Sequence, residues 1–109
     1  MTDQAPDLDL RRRLAERLGY TQIRSYGTWE IQGMKPDRST WCYTIPRWEL
    51  SMDACMELVA AANKEGGLWT IYQTYAGTYR VSFIREDKTF WGDAATPAKA
   101  TCEAWLALP

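Results

Sequence analysis

The chain has 109 residues, with 13 Lys+Arg against 14 Asp+Glu, three Cys, six Trp, six Tyr and no His. That length predicts a single domain over 1–109, with residues 1–6 disordered. The absence of His excludes Ser-His-Asp and Cys-His catalysis, His-ligated zinc and a near-neutral imidazole base.

No apolar run approaches the ~20 residues of a membrane helix. The first ten residues carry three acids and no basic stretch, so no secretory signal is expected. Cys42, Cys55 and Cys102 are far apart, without a C-x-x-C pair, so neither a metal site nor a redox motif is predicted. They are read as free thiols in a reducing cytoplasm, packed as small hydrophobes.

Charge is unevenly spread: residues 11–50 hold eight bases and four acids, and 51–109 hold five bases and seven acids. The first helix is predicted from Asp7 or Asp9 to Leu18, capped by aspartate, with Leu10, Leu14 and Leu18 as its apolar stripe. Gly19 ends it. Strands are then expected near Thr28–Gln32 and Thr40–Ile45, joined through the Pro36 loop.

Pro46 marks a connector, and Ser51 caps a second helix over 52–65 with Met52, Cys55, Met56, Val59 and Ala62 facing inward. Gly66-Gly67 closes it. Leu68–Tyr75 and Thr78–Ile84 read as a second hairpin, because Tyr79, Val81 and Phe83 alternate with Arg80 and Ser82. Thr89–Gly92 is read as a short edge segment. Thr96 and Pro97 open the last helix.

The order is therefore α-β-β-α-β-β-α, an α+β fold with one antiparallel sheet of about four strands packed by three helices. The predicted core is Leu14, Leu18, Trp29, Met56, Val59, Ile71, Val81, Phe83, Trp105 and Leu108.

Two segments carry a resemblance. Pro46-Arg47-Trp48-Glu49-Leu50-Ser51-Met52-Asp53-Ala54 and Thr96-Pro97-Ala98-Lys99-Ala100-Thr101-Cys102-Glu103-Ala104-Trp105-Leu106 resemble the phage ABA sandwich domain family. Its pattern is a Pro-aromatic-Ser-x-Asp entry into an alanine-rich helix, a hairpin, and a Thr-Pro-led helix. Here Glu49-Leu50 lengthens the entry, and Trp48 replaces the usual Tyr. The resemblance implies a small phage or prophage protein in the cytoplasm of a bacterial host, and it carries over no catalytic residue.

The functional expectation is a non-enzymatic accessory protein without a cofactor. It would act by binding a host or phage protein, as an inhibitor of host defence or regulation. Trp41, Trp48, Trp91 and Leu106 are the candidate contact residues, since aromatic side chains anchor protein interfaces. The alternative is nucleic-acid binding through Arg11, Arg12, Arg13, Arg17 and Arg24, with Tyr20 and Tyr26 as stacking partners. Against catalysis, Asp53 and Glu57 would be exposed, and Cys42 lies in an apolar strand. Cys102 and Leu106 widen the apolar arc of the last helix, which predicts a homodimer through that helix or an exposed strand.

Overall fold

The computed structural model describes residues 6–35, 38–64, 67–74 and 76–108, with the side chains of residue 26 and residues 38–42 outside the description. Residues 1–5, most of the segment read as disordered, lie outside it too. Nine elements follow in order. They are α1 (Leu8–Arg17), β1 (Thr21–Tyr26), β2 (Glu30–Lys35), β3 (Arg38–Thr44), α2 (Met52–Lys64), β4 (Leu68–Gln73), β5 (Tyr79–Arg85), β6 (Lys88–Ala94) and α3 (Pro97–Ala107).

The α+β class holds, but two three-stranded antiparallel sheets, β1-β2-β3 and β4-β5-β6, replace the single sheet of about four strands. The described residues form two compact units, one over Pro6–Arg47 and one from Trp48 onward.

In the first unit, the Asp7 carboxylate accepts the Leu10 amide at 3.0 Å and opens α1, and Gly19 leaves it at positive φ. Leu10, Leu14 and Ala15 are buried, with Leu18 half-buried at the end, and α1 lies against β2. Gly33 of β2 sits 3.1 Å, measured to an added Cβ, from Ile23 Cγ1, so the sheet is tightly filled there. Trp29, expected in the core, occupies the turn between β1 and β2 and is 54% exposed. Strand β1 escaped prediction because its pairing breaks between Thr21 and Arg24, where Gln22 takes a positive φ, so no clean alternation reaches the sequence.

In the second unit, Ser51 Oγ accepts the Ala54 amide and Thr96 Oγ1 accepts the Lys99 amide, capping α2 and α3 as expected. The buried stripe of α2 is Cys55, Leu58, Val59 and Ala62. It is rotated from the expected one: Met56 is exposed and Leu58 takes its place. Helix α3 packs on β5 and β6, and α2 packs on α3 and β4. Val81 and Phe83 of β5 are fully buried, and Ile71 is half-buried. Strand β6 is a full seven residues, paired with β5 from Tyr79↔Ala94 to Arg85↔Lys88.

Candidate functional site

The face of the second sheet opposite its buried core is built by register. Val81 and Phe83 are buried, so cross-strand partners assign Leu68, Thr70 and Tyr72 of β4, Arg80, Ser82 and Ile84 of β5, and Thr89, Trp91 and Asp93 of β6 to the other face. They form three rows: Leu68-Ile84-Thr89, Thr70-Ser82-Trp91 and Tyr72-Arg80-Asp93. Four large apolar side chains stand open on this face: Leu68 at 65%, Trp91 at 50%, Tyr72 at 46% and Ile84 at 38%.

Arg80 ties the third row together. Its Nε and Nη2 donate to the two carboxylate oxygens of Asp93 at 2.8 and 2.9 Å. The same guanidinium lies over the Trp91 ring, 5.6 Å from its centroid. Trp91 in turn meets Tyr72 edge-on, with centroids 6.4 Å apart and an interplanar angle of 86°.

The hydrogen bonds from Arg80 hold the Asp93 carboxyl below its ordinary range, and Asp93 pushes the Arg80 guanidinium above its own, with Tyr72 adding to that rise. Both directions agree on a paired, ionised couple. Tyr72 and Trp91 reach toward each other from the outer strands, above the central one. This accounts for Ser82, which is almost fully buried on an open face and shares a 2.5 Å hydroxyl contact with Thr70.

Such a surface presents exposed aromatic and aliphatic area around a neutralised ion pair. Arg80 is engaged by Asp93 and Trp91, so its charge is already compensated. Among the described residues no group of three or more Cys, Asp or Glu is placed to hold a metal ion.

The residues singled out from sequence divide sharply. Trp91 lies on the open face. Trp48 is fully buried instead of exposed, and its indole N–H donates to Glu57 Oε1 at 3.0 Å. Leu106 is half-buried. The Trp41 and Tyr26 side chains lie outside the described ones.

Arg11 is fully buried in the first unit, donating to the Trp29 carbonyl at 2.9 Å and lying 3.8 Å from Glu30 Oε1. Glu30 is also paired with Arg47. Arg12 reaches the Ile23 carbonyl at 3.4 Å, Tyr20 is buried, and Arg13, Arg17 and Arg24 are exposed. The arginine series is thus split between a structural cation and a solvated face.

The apolar arc read on α3 closes inward. Cys102 is fully buried with its sulfur 3.8 Å from that of Cys55, which also donates to the Trp48 carbonyl at 2.9 Å. The contact with Cys55 and burial together push the Cys102 thiol far up, away from thiolate.

Sequence reasoning missed Leu68, Tyr72, Arg80, Ile84 and Asp93. Their signal was present in the period-2 pattern, since Leu68 and Tyr72 share a side of β4 and Ile84 lies opposite Phe83 in β5. What hid it was reading β6 only as a short edge segment over Thr89–Gly92, which left out Asp93 and paired Trp91 with no neighbours.

No protein-family model matches the chain, including one for the ABA sandwich domain. No curated protein sequence matches it either. A solved structure does: a phage protein from Bacillus cereus ATCC 14579, with a TM-score of 0.69 at 17% identity, covering 98% of this chain and 95% of that one. At that identity the likeness is one of fold, an α+β arrangement shared over nearly the full length of both chains.

Proposed function

We propose that this chain is a small non-enzymatic accessory protein of phage type that acts by binding a protein partner through the open face of β4-β5-β6. One observation carries the reading: Leu68, Tyr72, Ile84 and Trp91 stand exposed together on one sheet face. Apolar patches of this kind, edged by polar groups, mark interaction sites on small soluble domains. Trp and Tyr are the side chains that most often dominate an interface. The partner proposed is a host defence or regulatory protein met in the bacterial cytoplasm, a reading that rests on the resemblance of the Pro46–Ala54 and Thr96–Leu106 segments to phage proteins and not on a family match. The fold shared with a Bacillus cereus phage protein supports the same origin. The nucleic-acid alternative loses support, since Arg11 and Tyr20 are buried and Arg80 is compensated by Asp93.

The test is affinity capture from a bacterial host, comparing the tagged chain with a Tyr72→Ala/Trp91→Ala variant of matched circular dichroism. A discrete protein retained by the first and lost by the second is the expected result. Identical retention by both rejects this face as the binding surface.

A further inference from the structure

The two sheets present four outer strands, β1, β3, β4 and β6, and an outer strand offers unpaired backbone groups to any strand that approaches. Three of the four carry a protective device. Strand β1 has a break in register between Thr21 and Arg24, with Gln22 at positive φ and Arg24 in the strand. The β2–β3 pairing shifts between Met34 and Lys35, and β3 begins at Arg38. Strand β6 carries Lys88 and Asp93. Strand β4 has none of these. Its sequence, Leu68-Trp69-Thr70-Ile71-Tyr72-Gln73, contains no charge, no Pro and no Gly, and its pairing with β5 is regular throughout.

The backbone groups that β4 turns outward follow from the ladder. The Thr74 amide donates to the Thr78 carbonyl at 2.8 Å, so Thr74 faces its partner strand. Orientation alternates along an antiparallel ladder. Tyr72, Thr70 and Leu68 therefore direct their N–H and C=O groups to β5, and Gln73, Ile71 and Trp69 direct theirs away. Thr70, Tyr72 and Gln73 are exposed, and even Trp69 and Ile71, on the core side, are only half-buried.

We propose that β4 is a self-association edge, where two copies of this chain pair antiparallel about a two-fold axis at Ile71 and join their sheets into one of six strands. In that register Ile71 faces Ile71 of the second copy, and Trp69 faces the second copy's Gln73. All three outward-facing residues on each chain are then engaged. An axis perpendicular to the sheet keeps both open faces on one side, so the surface of the proposed function is doubled rather than covered. A second copy is the occupant because the segment is uncharged: identical strands meet without like charges opposing, and two-fold pairing is the commonest closed symmetry. Tyr72 belongs to β4 itself, so Trp91 on β6 is the open-face residue that separates partner binding from this edge.

Sedimentation velocity on the full chain at ~100 µM is expected to give twice the 12.5 kDa monomer mass. Thr70→Lys, which leaves every backbone donor in place, and Ile71→Pro, which removes an outward N–H, are expected to sediment as monomers. Trp91→Ala is expected to stay dimeric, which separates this edge from the partner-binding face. Amide exchange at Trp69, Ile71 and Gln73 should slow with rising protein concentration, while Leu68, Thr70 and Tyr72 should not change. Should Ile71→Pro fail to fold, Thr70→Lys and the exchange pattern decide. A wild-type mass of 12.5 kDa at ~100 µM overturns the proposal, as does a dimer that survives Thr70→Lys with concentration-independent exchange at the three outward residues.

Discussion

Gly92 of β6 lies so close to α3 that a Cβ there would fall 2.8 Å from the Ala104 Cα and 2.5 Å from the Ala100 carbonyl oxygen. The helix rests directly on the strand backbone, a contact only glycine permits. Gly92→Ala is therefore expected to destabilise the protein by at least the ~1–3 kcal/mol typical of overpacking, read as a lower denaturation midpoint. A midpoint equal to wild type would mean that α3 can lift off the sheet without loss.

Truncations in the core of the second unit separate the observed phase of α2 from the expected one. Leu58→Ala and Phe83→Ala, both at fully buried side chains, should cost about 2–5 kcal/mol in guanidinium unfolding. Met56→Ala, at an exposed side chain, should stay within about 0.5 kcal/mol. Equal losses at Met56 and Leu58 would return the helix to the phase first read.

The thiols of Cys55 and Cys102 should be silent. In a Cys42→Ser background, a disulfide reagent at pH 8 is expected to find no reactive thiol in the native protein and two in denaturant. Burial and the contact between the two sulfurs keep Cys102 protonated, and it is the thiolate that attacks. Rapid native labelling would place one of these sulfurs at the surface.

The Asp93 carboxyl should titrate below the ordinary value near ~3.9 when followed by carbon-13 NMR, and Arg80→Gln should restore it. Because the folded value is the lower one, the ion pair contributes stability above the ordinary carboxylate range. That contribution is lost as pH falls through the folded value. Both groups face solvent, so the effect on global stability should be small and should shrink with salt. An unshifted Asp93 would dissolve the clamp.

Much of the fold was legible where one device decides one element. Asp7, Ser51 and Thr96 announced the helix starts, and the alternation of Val81 and Phe83 announced β5. Elements whose reasons lie elsewhere in the molecule were not. Gly92 weakens β6 as a sequence signal because it answers to α3, and Gln22 interrupts β1 for the sake of the bulge. With β1 unread and β6 read only as a short edge segment over Thr89–Gly92, two sheets merged into one. The site suffered in the same way: Trp91 was found, but Tyr72, Arg80 and Asp93 acquire meaning only beside it. Trp48 misled because Pro46 marks a connector, whereas the indole is anchored inward by its bond to Glu57.

Arg80 touches Asp93 and Trp91 at once, and that has a thermodynamic consequence for the partner proposed to dock on the sheet. Side chains left mobile in the free protein must be frozen on association, at about 0.5–1.5 kcal/mol for each rotamer-rich group. Here Trp91 already has Arg80 over its ring and Tyr72 at its edge, so less ordering is left to an encounter. Calorimetry on a complex should then record a negative heat-capacity change from buried apolar area with little entropic penalty from this side of the interface. Releasing the clamp by Arg80→Ala should weaken binding mainly through faster dissociation.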